Sequence, residues 1–201
     1  HIQISICMID TQGKFLIAPP NMPDPRFRKT VVYIWRHDVS GAAGVVINKR
    51  CQQPDFKHIC NEGLIHRLPK INHPVYYGGP VLTNMVGVLH STDFMLKSTN
   101  NLTDDKVGFT LDRKILEVIA KGQGPKNKLI TLGMANWSTG QLEEELEHPR
   151  NPAMSWLIMD YDEKFVFGQL DEDKPDDLWE SCVSHAIKTK TREITSKVFK
   201  D

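Results

Sequence analysis

The run LGMANWSTGQLEEELEH, residues 132–148, is the most specific stretch of the chain. Just before it, residues 129–132 form a short apolar run that reads as a buried strand. Residues 133–137 read as a tight turn. Ser138 is then placed to cap a helix, its hydroxyl accepting from an orphan first-turn amide. Gln141, three residues on, is placed to reach back and complete an S-x-x-Q capping box. Leu142 and Leu146, four apart, share one helix face. Of Glu143, Glu144, Glu145 and Glu147, the first lie near the positive end of the helix dipole, and His148 lies near the negative end. Pro149 stops the helix. On an exposed helix the glutamates are expected to be solvated charges. Trp137 sits where turn meets helix and is expected to fill a core gap, as large aromatics mostly do.

Toward the N-terminus, residues 15–18 are apolar and end at Pro19-Pro20, and NMPDPRFR over 21–28 brings Pro23 and Pro25. These prolines forbid helix and favour a rigid, irregular connection. Residues 30–35 and 42–47 read as an antiparallel hairpin closed by a turn over 37–41, with Gly44 marking a bulge or a close backbone approach. One short helix is compatible with Phe56, Ile59, Cys60, Leu64, Ile65 and Leu68. Further strands are expected at 75–77, 85–90 and 106–110, around a polar loop at 97–105. Asp112 caps a helix over 113–121 that Gly122 ends. Residues 155–159 and 164–167 read as a second hairpin. A last helix spans about 176–188, from the spacing of Leu178, Trp179, Cys182, Val183, Ala186 and Ile187. Helices and strands mix without regular βαβ alternation, which argues for an α+β fold.

The 201 residues suit one domain, expected over 13–188. Residues 1–12 are expected to be an extension, partly foreign if Met8 is the initiator, and 189–201 a tail. Lys+Arg and Asp+Glu both number 25, so global charge makes no case for nucleic acid or anionic membrane. No apolar run approaches the ~20 residues that span a bilayer. Cys7, Cys51, Cys60 and Cys182 form no C-x-x-C pair and read as reduced thiols of a cytoplasmic protein.

No P-loop, dinucleotide fingerprint, H-E-x-x-H or nucleophile-elbow motif is present. His58 and Cys60, or His66 and His73, lack the close paired spacing of structural zinc, so neither metal nor cofactor is expected. His37, Asp38 and Ser40 look like triad letters, but crowded together they read as a solvated turn. Gly78-Gly79-Pro80-Val81 is able to offer amides to an anion, though such a run is more often a tight turn.

Several motifs together resemble the YqgE/AlgH family. They are Ala18-Pro19-x-x-Met22-x-Asp24-Pro25-x-Phe27, then Thr30-Val31-Val32-Tyr33-Ile34, then His37 with Gly41-Ala42-x-Gly44-x-Val46-Ile47-Asn48. Gly78-Gly79-Pro80-Val81 and Leu89-His90 follow. The last is Leu132-Gly133-x-Ala135-x-Trp137-x-x-Gly140-Gln141-Leu142-Glu143-x-Glu145-Leu146, with Trp156-Leu157 after it. The similarity covers roughly residues 13–187. Arg36 and Asn136 depart from the family pattern. The resemblance implies a bifurcated, mostly antiparallel sheet rolled into a pseudo-barrel with flanking helices, in a soluble cytoplasmic protein of bacterial or phage type. The family has no established enzymatic activity, and the resemblance points to a transcriptional role only by one member's name.

The loops bearing these motifs are expected to converge on a site of Asp24, Arg26, Asn48, Gly78, Gly79, His90, Trp137 and Gln141. Hydrogen bonding beside an aromatic wall suits a small polar ligand or a peptide better than catalysis. The plainer reading is that these residues only fix turns, strand ends and caps. Arg26, Arg28, Lys29, Lys49 and Arg50 flank neighbouring strand ends, the one place where sequence allows a DNA-binding patch. The function expected is a non-enzymatic binding or regulatory module; an enzyme acting on a small polar ligand is the alternative.

Overall fold

Short β-branched and aromatic runs bounded by Gly and Pro become the strands of one sheet. The computed structural model describes residues 9–65, 67–147, 155–168 and 177–200. In chain order the elements are β1 (Phe15–Ile17), β2 (Val31–Asp38), β3 (Gly41–Val46) and α1 (Phe56–Ile59), which continues as a π-helical turn (Cys60–Leu64). Next come β4 (Val75–Tyr77), β5 (Val81–His90), β6 (Asn100–Leu102), β7 (Val107–Thr110) and α2 (Arg113–Ala120). The chain continues through β8 (Lys128–Trp137), α3 (Gln141–Glu147), β9 (Leu157–Met159), α4 (Lys164–Phe167) and α5 (Asp177–Val198).

The strand order is β6-β7-β5-β8-β3-β2-β1-β9, with β4 attached to β8 as a branch. Only the β4–β8 pairing is parallel among the described strands. The sheet forks at β8. Ile130 to Leu132 pair with β4 and β5, whereas Ala135 to Trp137 pair with β3. The result is an α+β fold with a curled, mostly antiparallel, bifurcated sheet flanked by helices.

The fork rests on glycine. Gly133 has φ +80°, and a Cβ there would stand 2.5 Å from the Gly79 carbonyl oxygen. Gly79 has φ +148°, and its Cβ would fall 2.2 Å from the Met134 carbonyl carbon. The Gly78 amide donates to Leu132 O at 2.8 Å, and Gly78 O accepts from the Val46 amide at 2.8 Å. Side chains would hold these backbones apart, so three glycines let the segment from β4 to β5 cross β8 in contact.

Alternation along β1 and β2 feeds two cores. Phe15, Ile17 and Tyr33 pack with Phe109 and with Trp179 and Cys182 of α5. Leu16, Val32 and Ile34 pack with Trp137, Leu142 and Trp156. A third cluster seats α1 and α2, through Phe56, Ile115 and Ile119, on Val88 and Ile130. Asp112 caps α2, its carboxylate accepting from the Lys114 amide.

Several sequence expectations are corrected. Residues 133–137 are the second half of a ten-residue strand, not a turn, because Gly133 absorbs the bend. β2 runs to Asp38, so His37 lies in a strand with 8% exposure. Residues 164–167 are helical, and β9 pairs with β1 instead. Residues 97–105 contain β6. Leu68 is 63% exposed, outside the helical segment. α5 continues ten residues past Lys188. Gly44 combines both readings: a Cβ would stand 2.7 Å from Val32 Cγ1, and the β2–β3 register shifts between Ile34 and Arg36. His66, His148, Pro149 and the acidic residues 171–176 lie outside the described residues. No described helix is long and apolar enough to cross a membrane.

The crossing makes a testable contrast. Gly140 has φ +74° but open space around its Cβ position, so Gly140→Ala is expected to cost only about 1 kcal/mol. Gly79→Ala combines a forbidden φ with backbone overlap and is expected to cost more than about 3 kcal/mol. Urea denaturation of the two variants beside the parent measures the difference.

Candidate functional site

Two of the acids of helix α3, Glu143 and Glu145, turn inward, whereas Glu144 and Glu147 are exposed. Glu143 Oε1 accepts from His37 Nε2 at 2.7 Å, and the His37 side chain is 1% exposed. The Thr11 amide donates to His37 Nδ1 at 3.1 Å, and Thr11 Oγ1 stands 2.9 Å from the same nitrogen. A backbone donor at Nδ1 leaves the ring proton on Nε2, facing the carboxylate. This hydroxyl–imidazole–carboxylate row resembles a catalytic relay, yet Thr11 is fully buried. With no approach for a substrate to the hydroxyl, the row is a lock. It fastens the chain before β1 and the helix after β8 onto β2.

Glu145 makes the second lock. Its Oε2 accepts from the indole N–H of Trp137 at 2.9 Å and of Trp156 at 3.3 Å, and its Oε1 accepts from Gln141 Nε2 at 3.3 Å. The two indoles meet edge to face, 6.2 Å between centroids. Trp137 thus fills the core, as its position suggested, and also donates. The expectation that these glutamates are solvated is corrected for Glu143 and Glu145. The capping box forms only in part. The Ser138 amide donates to Gln141 Oε1 at 3.0 Å, but the Ser138 hydroxyl donates to that same oxygen instead of accepting a first-turn amide.

Most of the expected site residues serve the fold. Asn48, 2% exposed, donates to Lys29 O and accepts from the Val31 amide, clamping the entry to β2 where Lys29 has φ +53°. Asp24 accepts the Arg26 amide and pairs with its guanidinium at 2.7 Å, which holds the Asp24 carboxyl below its usual range. Gly78 and Gly79 make the strand crossing. Gln141 is exposed but bonded to Glu145. The structure brings the 19–27 loop to the Trp137 end, because Met22 and Phe27 pack in that cluster and Phe27 lies 5.7 Å from Trp156. His90 stands apart at the far end of β5, opposite Gly108 and Lys128. The family-departing Arg36 is paired with Asp38 and Ser40, and Asn136 points outward.

His90 is fully buried and neutral by its bonding. Nδ1–H donates to Ser91 O at 2.9 Å, and Nε2 receives the Thr110 hydroxyl at 2.8 Å. Thr99 Oγ1 lies 2.8 Å from Thr110 Oγ1, and the Leu96 amide donates to Thr99. Burial pushes the ring below its ordinary value of 6.5.

Sequence reading missed an open groove. Two adjoining hollows share His73 and Pro74. One adds Lys49, Arg50, Cys51 and Asp55; the other adds Tyr76, Lys126, Asn127 and Lys128. Among the described residues that line these hollows, Lys49, Arg50, Lys126 and Lys128 stand with one carboxylate, Asp55, and Asp93 also acts on Lys128. Burial lowers both His73 and Lys128, and Lys128 lowers His73 further. Asp55 is held down at about 2, mainly by the Asn72 amide and the His58 backbone. Burial pushes the Cys51 thiol up, away from the reactive thiolate. The available signal was the close pair Lys126-x-Lys128 at the start of β8. Lys49 and Arg50 join them only through the fold, and the expected grouping with Arg26 turns instead to Asp24. Among the described residues no three His, Cys, Asp or Glu side chains gather as metal ligands.

Comparison with known proteins gives consistent results. A family model described as AlgH-like matches residues 15–189. A UPF0301 protein of Bradyrhizobium sp. BTAi1 is 37% identical over 172 residues, covering 82% of this chain and 77% of the relative. One from Cereibacter sphaeroides ATCC 17029 is 37% identical over 178 residues, covering 88% and 92%. The solution structure of the AlgH protein from Pseudomonas aeruginosa superposes with a TM-score of 0.71 at 31% identity, covering 90% of this chain and 93% of that one. A crystal structure from Corynebacterium diphtheriae, at 18% identity, covers 87% and 86% with a TM-score of 0.62 and shares the fold.

Two measurements test the locks and the buried imidazole. Glu145→Ala strands two buried indole donors and is expected to cost about 1–3 kcal/mol, while Glu145→Gln keeps an acceptor and is expected to recover part of it in urea melts. The folded state holds His90 neutral while the unfolded ring protonates near 6.5. The unfolded state therefore binds more protons below that value, so stability is full above it and falls as pH drops. Thermal melts between about pH 7 and 5 are expected to show this slope, and His90→Gln to reduce it, leaving the part that His73 contributes.

Proposed function

The chain belongs to the AlgH-like family, and on that premise we propose that it acts as a non-catalytic binding module of regulatory type, holding a phosphate-bearing ligand in its cationic groove. The observation that carries the reading is the lining of Lys49, Arg50, Lys126 and Lys128 around His73 in a chain of zero net charge. Fixed cations on low-dielectric walls focus field locally, whatever the total charge. Asn127 adds a neutral amide beside Lys126 and Lys128. A transcription-linked role fits this reading, with a nucleic-acid backbone as the ligand.

An enzyme acting on a small polar ligand has less support. The Thr11–His37–Glu143 row is shut off from solvent at its hydroxyl, and burial pushes the Cys51 thiol up. The groove offers binding groups without an activated nucleophile.

Fluorescence anisotropy with a short labelled DNA duplex, titrated across salt concentrations, tests the proposal. Binding is expected to weaken steeply with salt. Lys126→Glu with Lys128→Glu is expected to weaken it about tenfold or more and to flatten the salt slope by about one unit per lost phosphate contact. Competition by ATP separates a mononucleotide site from a polymer track. Absent or salt-insensitive binding of both probes removes the reading.

A further inference from the structure

We propose that the outer half of α5 is a docking helix for an acidic amphipathic helix of another protein. Among the described residues, α5 is buried only through its first half. Leu178, Trp179, Cys182 and Ala186 are buried, whereas residues 187–200 are all exposed. Within that exposed half, Ile187, Thr191, Ile194 and Val198 follow one another at steps of four, three and four. That is the a/d spacing of a two-helix seam. Ile187, Ile194 and Val198 are 51%, 56% and 63% exposed.

The seam is not an extension of the packed face. Ile187 follows buried Ala186, so it lies about 100° around the helix from it. Thr189 and Glu193 continue the inner side, where they line a hollow with β9, and Lys190 borders that hollow between the inner side and the seam. The seam therefore faces away from the body of the protein. The hydroxyl of Thr191 donates to Ile187 O four residues back at 2.9 Å, and Thr195 does the same to Thr191 O. With its polar group satisfied inside the helix, Thr191 presents its methyl and behaves in the seam like a valine.

Charge selects the occupant. Residues 187–200 contain five basic side chains, Lys188, Lys190, Arg192, Lys197 and Lys200, against one acid, Glu193. Lys188 lies on one flank of the seam, and Lys190 and Lys197 lie on the other, the positions that set partner choice in paired helices. A second α5 would bring lysines against lysines. A helix with an apolar seam and glutamate flanks pairs with all three. This surface is separate from the groove, so it stands or falls on its own.

The test uses the full chain and a synthetic probe: a labelled helical peptide of about three heptads with leucine seam positions and glutamate flanks. A lysine-flanked twin, phosphatidylserine vesicles and the protein alone in sedimentation are the other arms. The glutamate peptide is expected to bind and the lysine twin to fail. Ile187→Ser with Ile194→Ser, both exposed and outside the core, is expected to weaken binding at least about tenfold. Lys188→Glu with Lys190→Glu and Lys197→Glu is expected to switch preference to the lysine peptide. The proposal is overturned if neither peptide binds, or if binding survives the serine pair. It is equally overturned if that pair instead abolishes self-association or vesicle binding.

Discussion

The close crossing of two backbones at Gly79 and Gly133 is the constraint from which the rest of the architecture follows. β8 has to serve two partners on one side, β4 early and β3 late, with β5 along the other. That handover requires the chain leaving β4 to pass across β8 within contact distance. A Cβ on either glycine would enter the opposing backbone. Gly78 then closes the seam by donating to Leu132 O and accepting from the Val46 amide. The forked sheet is thus a consequence of missing side chains at three positions.

With the fork made, the end of β8 must be covered, and α3 covers it through two carboxylates. Leu142 supplies the apolar contact, fully buried in the cluster with Trp137 and Trp156. Glu143 and Glu145 fix the helix rotation by reaching His37 on β2 and the two indoles. Charge-assisted bonds of this kind are shorter and more directional than apolar contact, so they set orientation where leucine sets depth. Residues that look like a catalytic inventory are, in this geometry, fasteners between distant parts of the chain.

Function is then left to surfaces the fasteners do not use. A net charge of zero hides an uneven distribution. Four glutamates fall together in α3, while lysines and arginine collect in the groove beside His73 and along outer α5. Global charge governs solubility, but recognition answers to the local field. Two cationic surfaces on a neutral protein, one concave and polar, the other convex with an apolar seam, suit two different ligands.

Local rules made much of this legible in sequence. Hydrophobic period and breakers placed β1, β2, β3, β4, β7 and α2 near their observed bounds, because alternation, capping and proline act over a few residues. The family motifs carried the fold class. Other features were settled by tertiary contact. Gly133 read as a turn because a glycine followed by small residues is locally turn-like; only the passing Gly79 backbone explains why it stays in a strand. Asn48 and Trp137 looked available to a ligand, since sequence shows donors and acceptors but not whether they are already matched. The groove joins Lys49 and Arg50 to Lys126 and Lys128 across more than seventy residues of chain. Sequence alone therefore determined the segments that local rules govern, but not the strand at 133–137, the helix at 164–167 or β6. Which polar groups are spent on the fold and which still face outward was decided by tertiary structure, since hydrogen-bond partners and local field depend on neighbours that only the folded chain supplies.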